Sequence, residues 1–405
     1  MQIRAGLVWT ALWTSTLFAG DWPQFLGPEQ NSTADDESIV TTIDKPRPIL
    51  WKRNVGEGYS GPVVQTGKLI LFHLQEGEEV AEAIDVDTGK TVWKLGYRCD
   101  YAGGYGTGPG PRATPAIDGK AVFTFGAAGT LQAIDLATGK LLWRRDLAQE
   151  YGLPEGFFGV GTSPTVEGDK LLVTVGAKGA SLVAFDTATG KTRWNASQDE
   201  ASYASPIVAT IMGKRLGIFF ARSGLHLVEI EAGKEVGFLR WRARMNASVN
   251  AATPVLVGEN IFLSAEYGTG ATLVRWTGQT IEPIWKSQDA LSCHFNTPVE
   301  FDNHLVGIDG RQEGGAQLRC IQAETGEVAW SQPGFGCASL IRVGPTMVAI
   351  TEEGDLVLFE TNTKQFREQG RQKLGGSPTR AHPAISEGVL FVRTPAELLA
   401  IDLRP

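Results

Sequence analysis

Two arginines and three aromatic residues fall at one recurring position of this chain. Three residues before each of eight regularly spaced strand openings stand Tyr59, Arg112, Gly161, Tyr203, Ala251, Phe295, Cys337 and Arg380. Guanidinium groups hold carboxylates through paired hydrogen bonds, and aromatic faces cover apolar or sugar surfaces. The set therefore suits a carboxylate, sugar or peptide ligand. Asn250, His294, Asn296 and His382 stand beside it and add hydrogen-bonding capacity. The plainer expectation is that these side chains plug an axis and pair with carboxylates such as Glu266.

Other chemistry finds less support. His73, His226, His294, His304 and His382 are scattered without the spacing of a metal site. The run Gly103-Gly-Tyr-Gly-Thr-Gly108 lacks the strand-then-helix context of a phosphate loop and reads as a flexible loop. Glu78-Glu79 and Glu352-Glu353 fall in expected turns and read as solvated acids. No Ser, His and Asp spacing indicates a nucleophile. Cys99, Cys293, Cys320 and Cys337 allow three disulfide pairings, and the spacing selects none of them. With 37 Lys and Arg against 45 Asp and Glu, the net charge of -8 gives no field to hold phosphates and argues against a nucleic-acid partner.

The 49 glycines and 20 prolines rule out a helical bundle, so the elements that position these residues must be short strands and turns. A period of about 40 to 50 residues runs through the chain after residue 50. Ala83-Ile-Asp-Val-Asp-Thr-Gly-Lys-Thr-Val-Trp93 returns as Ala133 to Trp143 and Ala184 to Trp194, with weaker copies ending at Trp241, Trp285, Trp330 and Phe366. Upstream of each copy an apolar-alternating run reads as a strand, and before that a small residue, usually with Pro, opens another. Each unit is thus four strands, A to D, with the Asp-x-x-Thr-Gly-Lys turn joining C to D. Trp51, Trp93, Trp143, Trp194, Trp241, Trp285 and Trp330 are expected to dock each unit on its neighbour.

The eighth unit has strands A to C and ends at Pro405 without D, whereas Pro48 to Val55 reads as a D strand with nothing before it. The expected fold is therefore an all-β, eight-bladed β-propeller of four-stranded antiparallel blades over residues 48–405, closed by residues 48–55. Residues 21–47 read as an extended segment. Residues 1–20, with Arg4 followed by the apolar stretch Ala5 to Phe18, read as a signal peptide, and no later stretch is long enough to span a membrane. The loop from Gly96 to Pro111, carrying Asp100, Tyr101 and Tyr105, is expected to fold over the channel opening.

The Ala-x-Asp-x-x-Thr-Gly-Lys-x-x-Trp units resemble the repeats of the pyrroloquinoline quinone (PQQ)-like propeller superfamily. That superfamily includes the quinone dehydrogenases and the BamB-type outer-membrane assembly propellers. The opening Asp21-Trp-Pro-Gln-Phe-Leu-Gly-Pro28 and Gly106 to Pro115 also look like exported PQQ-like repeat proteins of environmental bacteria. The resemblance implies a Trp docking girdle. It does not supply the dehydrogenases' adjacent Cys pair or a Cys-x-x-Cys-His haem site, and the lipoprotein Cys of BamB is absent. The expectation is an exported, periplasmic or secreted, non-catalytic and monomeric binding module or scaffold without cofactor or metal. Its partner would be a protein, peptide or glycan at the channel face. The alternative is a quinone-dependent alcohol or sugar dehydrogenase using PQQ with calcium.

Overall fold

A computed structural model describes residues 20–104, 106–153, 158–243, 245 and 248–405. The expected signal peptide lies outside the described residues except for Gly20. Among the described residues thirty-two strands form eight four-stranded antiparallel sheets in a ring, with one short helix, Leu147–Tyr151, and one 3-10 turn, Gln312–Gly314. Blades 1 to 7 are continuous: 63–98, 116–146, 165–196, 207–240, 255–287, 299–332 and 338–373. Blade 8 takes its first three strands from 384–402 and its outermost from Ile49–Asn54, which runs antiparallel to Glu397–Asp402 with Trp51 opposite Ala400. The closure expected from the incomplete eighth unit is the one observed.

The C–D turns show why the repeat is written as it is. Asp85 Oδ1 accepts from the Thr88 amide at 2.9 Å and the Thr88 hydroxyl at 2.6 Å, and Gly89 takes φ 65. Asp135 with Thr138 and Asp186 with Thr189 repeat the arrangement. A second constraint on the glycine comes from the neighbouring blade. A Cβ on Gly89 would lie 2.7 Å from the Trp51 indole, because that indole lies flat on the turn and donates from Nε1 to the Val86 carbonyl at 2.7 Å. Trp93, Trp143, Trp194, Trp285 and Trp330 dock in the same way, onto the carbonyls of Leu136, Thr187, Ile230, Ala323 and Asn362.

Trp241 does not belong to this girdle. In blade 4 the docking register, opposite Leu227, is held by Gly237, and the Trp241 indole N–H is buried without a partner among the described residues. Blade 5 fills the vacancy from the other side: Ile281 packs over Gly237 and Trp276 donates back to the Val236 carbonyl at 3.4 Å. Blade 7 has Gly370 in this register, and there Ile43 of the N-terminal segment lies against it, its amide donating to the Gln369 carbonyl at 2.9 Å.

Around the channel the blades are joined by a hydroxyl relay. The amides of Gly61, Thr114, Ser163, Ser205 and Thr253 donate to the hydroxyls of Thr114, Ser163, Ser205, Thr253 and Thr297, at 2.9–3.2 Å. At these five positions the small hydroxyl residue before the A-strand Pro is thus a staple to the preceding blade, since a buried amide there has no ladder partner.

The segment 21–47 threads through this frame. Trp22 bridges Val64 of blade 1, the Gln30 side chain donates from Nε2 to the Thr165 hydroxyl and the Pro206 carbonyl at blades 3 and 4, and Thr33 bridges Arg342 of blade 7. It therefore crosses the channel and floors it, burying Trp22 and Leu26 to 1% exposure.

Candidate functional site

A cavity of about 620 Å³ lies in the channel above that floor. Eight of the nine residues read from sequence as the mouth line it: Tyr59, Arg112, Tyr203, His294, Phe295, Asn296, Arg380 and His382. Asn250 does not. Its side-chain amide is turned into the wall, donating to the Ala221 carbonyl at 2.8 Å and the Trp241 carbonyl at 3.1 Å, so it holds a loop instead. Sequence reasoning missed Phe25, Tyr267 and Gln312, which also line the cavity. Phe25 arrives from the non-repetitive segment, and no periodicity could have placed it.

Arg112 is held by neutral atoms. Its guanidinium donates to the carbonyls of Gly108 and Gly110 and to the Thr107 hydroxyl, and lies over the rings of Tyr101 and Tyr59 at 4.7 and 5.3 Å. Its Nε is buried without a partner, and among the described residues no carboxylate forms an ion pair with it. Burial pushes its pKa below the ordinary arginine value. The loop from Gly96 to Pro111 contributes Gly106 and Thr107 to the cavity wall and is tied down by Tyr59, whose hydroxyl accepts from the Gly108 amide at 3.0 Å. Tyr105 lies outside the described residues.

Arg380 behaves as the plainer expectation had it, with a different partner: Glu352, not Glu266, accepts from its Nε at 2.5 Å. Glu352 is thereby a nearly buried ion-pair member and not a solvated acid. Glu79 departs further from the sequence reading. It is fully buried, accepts from the Tyr97 hydroxyl at 2.5 Å and the Ala127 amide at 2.9 Å, and burial raises its pKa.

Burial disfavours the charged form of both cavity histidines. Burial drives His382 down to about 4; its Nδ1 donates to the Pro383 carbonyl at 2.9 Å and its Nε2 accepts from Ser32 at 3.1 Å. Burial also lowers His294, which lies between Tyr267 at 3.3 Å and Gln312 at 3.2 Å. Tyr203, its hydroxyl fixed by the Phe158 amide at 2.8 Å, is raised by burial to about 12. It stands between this cavity and a second of about 750 Å³, since both are lined by Gly161, Tyr203 and Val249.

Away from the channel, Ser197, His226 and Asp199 come together, with 3.0 Å from His226 Nε2 to Asp199 and 3.5 Å from Nδ1 to Ser197. Glu235 also faces Nδ1, at 3.2 Å. Burial disfavours the charged ring, but the two carboxylates outweigh it and raise the pKa, which favours the protonated imidazole over a free base. All four cysteines are buried free thiols. No group of three or more His, Cys, Asp or Glu able to hold a metal occurs among the described residues.

The ring, the Trp docking register and the repeat turns define a PQQ-like repeat propeller with a floored channel. The family model described as outer membrane protein assembly factor BamB matches residues 76–332, and the chain belongs to that family. The protein of that description from Burkholderia pseudomallei is 24% identical over 323 residues, covering 75% of this chain and 77% of the relative. BamB from Moraxella catarrhalis matches with a TM-score of 0.62 at 14% identity, over 88% of this chain and 99% of that one. A europium-containing methanol dehydrogenase matches with 0.59 at 12% identity, over 95% and 98%. At these identities the two structures speak for the fold alone. Among the described residues no helix is long and apolar enough to cross a membrane.

Proposed function

We propose that this chain is an exported, monomeric, non-catalytic scaffold of the periplasm that binds a polypeptide at the channel face, in the setting of outer-membrane protein assembly. One observation carries the reading: a cavity lined by Tyr59, Tyr203 and Phe295 holds an arginine whose partners are all neutral. Such a wall gives apolar contact area and one strong anchor, which is how polypeptide segments are bound. Membership of an assembly-factor family supplies the partner class.

The dehydrogenase reading asks for a quinone held by calcium beneath adjacent cysteines. The four cysteines include no adjacent pair, and the one carboxylate on the cavity wall, Glu313, faces Arg311 at 3.8 Å. These residues do not fit that group, and no step is derived through it.

The test is binding of a fluorescently labelled, urea-unfolded outer-membrane β-barrel protein diluted into the folded propeller. Saturable binding that Phe295→Ala with Tyr203→Ala weakens by roughly tenfold or more supports the reading. Binding unaffected by the pair moves the site off the channel face.

A further inference from the structure

We infer that the cavity selects an extended peptide segment carrying a carboxylate beside an aromatic or aliphatic side chain, with the carboxylate seated on Arg112. The inference rests on the polypeptide-binding reading above and specifies what that site recognises.

Charge is the first argument. The protein as a whole is acidic, at -8, yet three arginines gather around Tyr59. Arg393, 1% exposed, spends its guanidinium on the carbonyls of Gly56, Ser60 and Phe72. Arg380 is matched by Glu352, whereas Arg112 is held by dipoles and rings, with the buried Glu79 acting on it through its field but forming no ion pair. Of the acids on these walls, Glu313 faces Arg311 and Glu57 is exposed at the rim. Among the described residues neither Arg112 nor Arg393 forms an ion pair with a carboxylate, and of the two it is Arg112 that lines the 620 Å³ cavity. A half-buried cation without an ion-paired carboxylate is costly to keep, and a ligand carboxylate compensates it through charge-assisted hydrogen bonds.

Shape is the second. Tyr59 lies against Arg112, and Phe25 and Phe295 supply apolar surface elsewhere on the same cavity wall, so an acid seated on Arg112 is matched by an apolar neighbour. A free small acid would occupy this cavity alone. The 750 Å³ cavity beyond Tyr203 shares Gly161, Tyr203 and Val249 with the first, so a segment longer than a dipeptide can run from one into the other. An extended peptide uses both.

The experiment measures fluorescence anisotropy of end-capped octapeptides, identical except for a central Asp-Phe, Asn-Phe or Lys-Phe pair. The Asp peptide should bind tighter than the Asn peptide by about tenfold or more, the Lys peptide most weakly, and added salt should narrow the gap. Arg112→Gln should erase the Asp preference, and acetyl-Asp-Phe-amide should bind well below the octapeptide. Equal affinity for the three peptides in the unaltered protein would overturn the inference, independently of whether any variant folds. So would a preference that survives Arg112→Gln, equal binding of the dipeptide, or tighter binding of chitotetraose. If the unfolded β-barrel protein binds but excess Asp octapeptide does not displace it, the function reading stands and this inference falls. If no polypeptide binds, the function reading falls first.

Discussion

Replacing Trp51 and Trp241 by alanine in parallel separates docking from mere resemblance to docking. Both end a repeat in sequence, but only Trp51 lies on the turn of the next blade. Removing a buried aromatic costs about 3–5 kcal/mol, and the half-buried state of Trp51 places its apolar share at the low end. Loss of the 2.7 Å bond to Val86 adds about 1 kcal/mol. Trp51→Ala should therefore cost about 3–4 kcal/mol. Trp241 has no indole hydrogen bond to lose and its register is already filled by Ile281 and Trp276, so Trp241→Ala should cost about 1–2 kcal/mol. Urea unfolding followed by far-UV circular dichroism measures both, provided the slopes stay constant so that midpoints report stability. Equal losses would refute the assignment of the docking register, and with it the claim that blade 5 reaches back to blade 4.

The hydroxyl relay predicts that Ser205→Ala, which strands the buried Ser163 amide, costs about 1–3 kcal/mol, whereas Ser205→Thr stays near neutral in the same melting assay. His226 has a raised folded-state pKa, so its stabilisation is complete below the unfolded value near 6.5 and is lost as pH rises through the folded one. Melting curves from pH 5.5 to 8.5 should show the protein's advantage over His226→Gln shrinking toward the alkaline end, and a constant gap would contradict the pairing with Asp199 and Glu235. PQQ with calcium should leave the melting temperature unchanged and reduce no dye with alcohols or aldoses; quinone-dependent reduction would favour the dehydrogenase.

The ring was legible because its turn chemistry repeats: Asp85, Thr88 and Gly89 recur at Asp135 and Asp186 with the same bonds. The strand missing from the last unit located the closure for the same reason. Trp241 misled because a tryptophan near the end of a repeat was taken as the docking one. The better signal was spacing from the turn glycine, which lands on Gly237 in blade 4 and on Trp93, Trp143 and Trp194 in its predecessors. The cavity wall was legible because one offset from the A strands recurs eight times. Its floor was not, since Phe25 and Trp22 sit in a stretch with no period. Nor was the burial of Glu79, which depends on a Tyr97 hydroxyl and an Ala127 amide brought together by two different blades.

The path of residues 21–54 sets the order in which the molecule can be completed. This stretch is made before any blade, yet its partners include Leu403, Asp402 and the Glu397–Asp402 strand, and its Ser32 meets a histidine 350 residues away. Until translation reaches those partners, blade 1 has no neighbour on one side and the channel no floor. The entropy cost of loop closure over such a span grows only logarithmically, but the contact forms late, so assembly is slow and governed by its most non-local step. Through that interval the unsatisfied edges of blade 1 and of the growing end stay exposed to association with other chains. The first-made segment thus acts as the final latch, and a nascent chain released before blade 8 carries that latch with nothing to engage.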